Sequence, residues 1–228
     1  MKDAIKKTRK CFRSRAILKE DKESRLLDFL NASALLFDRD DFDQISVSDI
    51  CKAAGLAKGT FYLYFDTKEE AFLTLTRTQV AKWNEQISLA ISSLSTPANP
   101  KSFARVLARS FRTLPQLPRL LQMLHSVLEQ NVSEESVLAF KKAVAQGNDS
   151  LAIKVSHIFP SLNAVQLQNL MLFCQVTLTG TWQYANPPPK LRKILEKNHL
   201  ERFLFDFESA VEQQVIVFFG GLGIHDKP

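Results

Sequence analysis

Residues 50–72 read ICKAAGLAKGTFYLYFDTKEEAF, and the spacing within this stretch decides the fold. Just upstream, Ser46 with Asp49 three residues later is a capping-box arrangement, so a helix opens there. Gly55 ends that helix as a C-terminal glycine. A second short helix is expected over about 58–65. Then "DTKEE" restarts the chain as a longer helix, with Thr67 as N-cap and Glu70 three residues on. Two short helices around the turn Gly55-Leu56-Ala57 make a helix-turn-helix. Ile50, Ala53, Leu56, Phe61 and Phe65 have the spacing to fill a small core with Leu27, Leu30 and Phe37 of a preceding helix, 25–37. Ser48, Lys58, Thr60, Tyr62, Leu63 and Tyr64 are left facing outward. Gly59 falls near the start of the second helix, where glycine costs about 1 kcal/mol relative to alanine. Close approach of backbone to a phosphate at a helix N-terminus is one reason for it; a packing glycine or a frayed turn is the plainer one.

The rest of the chain reads as helix too. There are 7 glycines in 228 residues and no sustained strand-like alternation. From 68 to 94, Phe72, Leu75, Val80, Trp83, Ile87, Ile91 and Leu94 keep one apolar stripe. "STPANP" interrupts it, with Asn99 as the next N-cap and Pro100 at the first helical position. Further helices are expected over about 100–113, 117–130, 134–157, 164–185 and 199–219, separated by "LPQLP", "NVSEE", "FPSLN" and "NPPPKLRK". The expected architecture is all-α: a basic arm (1–19), a three-helix helix-turn-helix domain (20–67) and a larger helical domain (68–228).

Charge is concentrated at one end. Residues 1–19 carry eight lysines or arginines against Asp3, a net +7, whereas the whole chain carries +6. Such an arm seeks polyanions. No apolar run approaches the length of a membrane span. The start has no apolar segment with a small-residue cleavage site, so no secretory signal is read. Cys11, Cys51 and Cys174 form no CxxC pair and no disulfide framework, which suits a reducing cytoplasm. No HExxH, glycine-rich phosphate loop or GxSxG is present, and no metal or cofactor is expected. A His125–Cys174 thiol–imidazole pair is the enzymatic alternative. A ligand-free DNA binder that recruits a partner protein is another.

The stretch 45–72, ISVSDICKAAGLAKGTFYLYFDTKEEAF, resembles the DNA-binding signature of TetR-family transcriptional regulators, with the resemblance running over about residues 25–72. It implies that Ser46 touches a phosphate and that Ser48 reads a base. Lys58, Gly59 and Thr60 would open the recognition helix. Tyr62 and Tyr64 match aromatic positions that contact the backbone or base edges, Leu63 a variable position tied to sequence preference, and Lys68 a phosphate-binding lysine. Two positions depart from the pattern: Ala57 stands where many members have serine, and Asp41 where many have glycine, which suggests a strained turn.

The resemblance further implies a homodimer on a palindromic double-stranded DNA operator, its recognition helices ~34–36 Å apart or a multiple of that. The last two long helices would form a four-helix interface, with Phe203, Phe207, Val211 and Val215 as candidates. The remaining helices would hold a small-molecule effector. Phe103, Leu107, Phe111, Met123, Leu124, Leu128, Phe140, Met171, Phe173, Gln175 and Trp182 are the candidate lining; His125 and His157 read first as satisfied core or surface histidines, with a polar anchor as the alternative. Such apolar composition fits a lipophilic or aromatic compound. Repression, relieved when the ligand moves the helix that starts at Lys68, is the expected mode.

Deleting residues 1–19 should weaken binding to operator DNA and flatten its salt dependence, because fewer counterions are released, while leaving the preferred sequence unchanged. Gel shifts over a salt series check this; full affinity with an unaltered slope would refute it.

Overall fold

A computed structural model describes residues 2–224, with side chains described from Asp21 onward. Ten α-helices account for most of it: α1 (Lys2–Arg39), α2 (Val47–Ala54), α3 (Lys58–Phe61), α4 (Lys68–Ser92), α5 (Pro100–Ala108), α6 (Gln116–Gln122), α7 (Glu134–Ile158), α8 (Ala164–Ala185), α9 (Pro189–Lys197) and α10 (Phe207–Gly221). Short 3-10 turns lie at Phe42–Gln44 and Glu201–Phe203, and a π-helical turn at Leu124–Leu128. No strand occurs among the described residues.

The expected caps explain most boundaries. Ser46 and Asp49 form the reciprocal capping box, and Gly55 closes α2 with φ of 66°. Thr67 caps α4, Asn99 caps α5 with Pro100 at its first position, and Asn163 and Gln166 form a second capping box on α8. Several boundaries differ from expectation: α3 and α5 end earlier, at Phe61 and Ala108, and the helix expected over 117–130 is divided into α6 and the π turn. The first helix is continuous from Lys2, so the backbone of the basic arm is a continuation of α1; its side chains lie outside the described ones. "NPPPKLRK" is not a plain separator, because Pro189 at the first position starts α9. The last helix begins at Phe207 rather than 199, where the Asp206 carboxylate accepts from Ser209 N.

Two apolar cores result. In the first, Phe29 packs edge-on against Phe61 and Phe65, while Phe72 meets Phe37 and Phe42. Ile45 and Ile50 complete it. The centre is Phe29 rather than Leu27, which is exposed; Ala53 is exposed as well and Leu56 half-buried. The buried stripe of α1 thus runs through Phe29, Leu30, Ser33, Leu36 and Phe37. This core is not closed at residue 67. Leu120, Leu124, Leu128 and Phe140 from α6, the π turn and α7 are buried in it. Gln116 Nε2 donates to Ala34 O at 3.0 Å, and the Arg119 guanidinium lies 4.2 Å from the Phe37 ring.

The second core joins α4, α5, α7, α8 and α10 around Ile87, Ile91, Phe103, Leu107, Leu151, Leu170, Val211, Val215 and Phe219. Where α4 crosses α7, a Cβ on Gly147 would collide with the Asn84 amide, so the glycine permits the close crossing. α4 has its first turns buried in one core and its last turns in the other; α7 spans both as well, with Phe140 in the first and Leu151, Val155 and Ile158 in the second.

Phe72→Ala should cost about 3–5 kcal/mol, the range for emptying a buried aromatic site, and loosen α1 and α2 together. Urea unfolding followed by circular dichroism checks the magnitude; a loss under 1 kcal/mol would mean the site collapses around the gap.

Candidate nucleic-acid interface and ligand cavity

The surface around α2 and α3 is built by the caps. The Ser46 hydroxyl and amide both donate to Asp49 Oδ2, at 2.6 and 3.0 Å, and together hold the Asp49 carboxyl below its ordinary range. Ser48 is exposed one turn on. α3 starts without a side-chain cap, because Ala57 offers no oxygen. Its first in-chain amide bonds are those of Thr60 and Phe61 to Ala57 O, so the amides of Lys58 and Gly59 point out of an exposed helix start. The helix is shorter than expected, ending at Phe61, but i to i+3 bonds carry the turn on to Tyr64 and Phe65 N returns to Phe61 O.

A Cβ built on Gly59 meets nothing within 4 Å, so packing inside the protein does not demand glycine there. Lys58, Tyr62 and Leu63 are exposed, Leu63 by 75%. Thr60 and Tyr64 are half-buried, and the Tyr64 ring leans on Phe29 at 5.9 Å. Ser46, Ser48, Lys58, Gly59, Tyr62 and Leu63 are thus exposed on or beside α2 and α3, with Thr60 and Tyr64 half-buried among them.

Lys68 stands apart from them. Its ammonium donates to Phe42 O and Ile45 O, both at 2.8 Å, and lies 4.1 Å from the Phe42 ring. Two of its three donors hold the turn before α2, leaving one for an outside acceptor. Asp41 also departs from expectation: its φ of −71° and ψ of 147° are extended backbone, without strain.

In the second region a cavity of about 140 Å³ opens between α4, α5, α7 and α8, floored by α6 and the π turn. Phe103, Leu107, Phe111, Leu124, Phe140, Met171 and Gln175 line it, as do Val80, Trp83 and Ile87 of α4 and Val144, Leu151 and Leu178 opposite. Four expected lining residues sit elsewhere. Leu128 is fully buried in the first core, and Met123 packs against that core. Phe173 stacks on Phe218 at 4.3 Å, and Trp182 packs on Phe207 and Phe111. The α4 residues belong to the stripe visible in the sequence, but the stripe does not say which of its members face a void.

The cavity has polar features at its edges. His125 Nδ1 lies 2.7 Å from Glu129 Oε2, and Lys141 Nζ lies 2.7 Å from Glu129 Oε1. Burial works to raise the Glu129 pKa, but Lys141 and His125 outweigh it and hold the carboxyl below its ordinary range. Trp83 Nε1 and Asn84 Oδ1 are buried without hydrogen-bond partners among the described residues. His157 is exposed and does not reach the cavity. Burial pushes the Cys174 thiol up to about 12, so it stays protonated at neutral pH and makes a poor nucleophile.

The expected dimer residues also need revision. Val211 and Val215 are wholly buried inside the protomer, and Phe207 stacks on Phe111. Phe203 is exposed, but on the short turn before α10. The large apolar groups that α8 and α10 leave exposed are Val165, Leu172, Val176 and Tyr184 on α8 and Val217 on α10.

Comparison with known proteins gives two family matches: residues 29–75 to bacterial regulatory proteins of the tetR family, and residues 77–225 to the tetracyclin repressor-like C-terminal domain. The chain is 25% identical over 172 residues to the fatty acid metabolism regulator protein of Bacillus subtilis, covering 73% of this chain and 87% of that one. Its fold is similar to the Bacillus subtilis transcriptional regulator FadR solved with stearoyl-CoA, with a TM-score of 0.57 at 16% identity over 86% of this chain and 98% of the other. It is also similar to Thermus thermophilus FadR solved with lauroyl-CoA, with a TM-score of 0.51 at 18% identity over 89% and 97% of the two chains.

Gly59→Ala should leave the melting temperature unchanged or slightly raised, since nothing crowds the new methyl, yet weaken duplex DNA binding. Lys58→Ala should lower the salt slope of binding by about 1. Lys68→Ala should lower stability as well as affinity. Thermal melts alongside salt-series gel shifts separate the three; Gly59→Ala with full DNA affinity would mean that no phosphate approaches this turn.

Proposed function

From the premise that this chain belongs to the TetR family of bacterial regulatory proteins, we propose that it is a homodimeric repressor that binds a palindromic operator and releases it on binding a long-chain fatty acyl thioester. The observation that carries this reading is the apolar cavity with α4 as one wall. The same helix begins at Lys68, bonded to the turn before α2. A group entering the cavity therefore pushes on the element that positions the reading head.

On DNA, the amides of Lys58 and Gly59, the hydroxyl of Ser46 and the Lys58 ammonium hold phosphates, while Ser48, Thr60, Tyr62, Leu63 and the edge of Tyr64 reach the major groove. Leu63 has no polar atom and offers apolar contact, as to a thymine methyl.

The cavity's chemistry selects a lipid with a polar junction. Its walls are aliphatic and aromatic. Trp83 Nε1 supplies a free donor for a thioester carbonyl, and the Lys141 and His125 edge faces the polar remainder. Relatives of the same fold were solved with stearoyl-CoA and lauroyl-CoA, which agrees with this class. At about 140 Å³ the space suits a benzene-sized occupant. A long acyl chain enters only as α4 parts from α7 and α8, so its binding energy favours the parted state. A DNA binder that works through a partner protein alone has no use for such a cavity.

Dimerisation through α8 and α10 fits the exposed Leu172, Val176 and Val217. A single helix-turn-helix is too small to bind tightly, and two-fold symmetry matches a palindromic site.

A duplex selected from a random pool, titrated with protein and then with lauroyl-CoA or stearoyl-CoA, tests the reading. Affinity should fall about tenfold or more with either thioester, within the usual span of allosteric coupling, and stay constant with free coenzyme A. Leu107→Trp, which fills the cavity, should abolish the response while sparing DNA binding. Val176→Glu should yield a monomer by light scattering. DNA affinity indifferent to saturating thioester would overturn the effector assignment.

A further inference from the structure

The first turn of α4 is gripped from two sides. Lys68 ties it to the carbonyls of Phe42 and Ile45, the second of which directly precedes Ser46, the N-cap of α2. On the other side, the Glu70 carboxylate is only 8% exposed. Its Oε1 accepts from Ser133 N at 3.2 Å and Ser136 Oγ at 3.1 Å, both at the start of α7. Its Oε2 accepts from Asp66 N at 2.9 Å. Thr67 Oγ1 donates to Asn131 O at 2.9 Å, in the same connecting segment.

Local capping does not account for this carboxylate. Thr67 already caps α4 by accepting from Glu70 N, and Ser133 caps α7 by accepting from Ser136 N. Glu70 instead takes its charge to the first turn of a helix more than sixty residues away in sequence, where the helix dipole favours an anion. Burial works to raise its pKa, yet the bonds from Asp66, Ser133 and Ser136 outweigh burial and hold it ionised. Freeing it from any one donor leaves a buried charge under-satisfied, so the first turns of α4 and α7 resist separation.

The segment that Glu70 grips is an extension of the cavity wall. Just before it lies the π turn, whose Leu124 and His125 line the cavity. Just after it, α7 contributes Phe140, Lys141 and Val144. The π turn holds one residue more than an α turn: Leu128 N bonds Met123 O at 3.0 Å, and Glu129 N bonds Leu124 O at 2.9 Å. A shift of these bonds by one residue returns the segment to α-helical pairing and moves everything after it.

Resting on the cavity reading above, we propose that Glu70 is a positioning residue that couples the effector cavity to the DNA-reading head, with the π turn at Leu124–Leu128 as the element that changes register. Displacement of the cavity wall moves the start of α7. Glu70 carries that movement to the first turn of α4, and Lys68 passes it to the Phe42–Ile45 turn and so to α2. The path is made of hydrogen bonds between helix ends, and the π turn, with its extra residue, is the element in it that can change register.

The test uses Glu70→Gln, Ser136→Ala and Ser136→Thr in the full chain. In ligand-free protein, hydrogen exchange in Glu70→Gln and Ser136→Ala should accelerate about tenfold at amides of residues 46–61, which touch neither side chain, because the reading head loses its anchor. Acceleration confined to residues 66–70 and 131–136 overturns the proposal. With lauroyl-CoA as probe, the ratio of DNA affinities without and with thioester should fall from about tenfold to within about twofold in Ser136→Ala and recover in Ser136→Thr. Ligand-free DNA affinity and thioester affinity should each stay within about threefold of wild type. A purely structural role predicts weaker binding of both DNA and thioester with the ratio intact, and that result also overturns it. A wild-type chain that ignores lauroyl-CoA refutes the effector reading instead, and the ligand-free exchange data then decide the role of Glu70.

Discussion

The arrangement depends on α4 being one uninterrupted helix with an end in each core. Its 25 residues span about 37 Å at 1.5 Å per residue. Phe72 is locked among Phe37 and Phe42 at one end, and Ile87 and Ile91 are buried among α5, α7 and α10 residues at the other. Buried apolar ends cannot drift independently, because protein interiors are close-packed and yield little. α4 thus ties the packing of the two cores together through one continuous helix.

The first core, that of the helix-turn-helix, also takes Leu120, Leu124, Leu128 and Phe140 from the larger helical region. Leu124 and Phe140 also line the cavity. Leu124 and Phe140 are therefore core packing on one side and cavity wall on the other. The family matches divide the chain between residues 75 and 77, inside α4, whereas the packing crosses that division.

Polar groups divide in a comparable way. On the α2–α3 surface they are exposed, uncapped or half-committed: the free amides at the start of α3, the Lys58 ammonium and the single spare donor of Lys68. At the α4–α7 junction and the cavity edge several are committed to each other, as in Glu70 with Ser133 and Ser136, or Glu129 with Lys141 and His125, while Trp83 Nε1 and Asn84 Oδ1 in the cavity lining have no partner among the described residues. Exposed donors suit a polyanion that arrives from solvent; buried, paired groups suit a joint that must move as a unit.

Local chemistry made much of this legible from the chain alone. The capping boxes at Ser46 and Asn163, the C-terminal Gly55 and the Pro100 start are short-range signals, satisfied by residues three or four positions apart. The helix-turn-helix and its outward residues followed from them, as did the stripe on α4. Long-range geometry decided the rest. Which of Phe111, Phe173 and Trp182 faces a void depends on where α8 lies against α5 and α10, and no spacing within one helix encodes that. Val211 and Val215 look like an interface stripe until the neighbouring helices cover them inside the protomer. Lys68 reads as a free cation until two distant carbonyls claim it, and Glu70 as an ordinary capping residue until the start of α7 arrives beside it. Sequence by itself determined where helices start, stop and turn, because those choices are settled within a few residues. Tertiary structure alone decided which faces are buried, which leave a cavity and which polar groups are already spent, because burial depends on chain segments that meet only after folding.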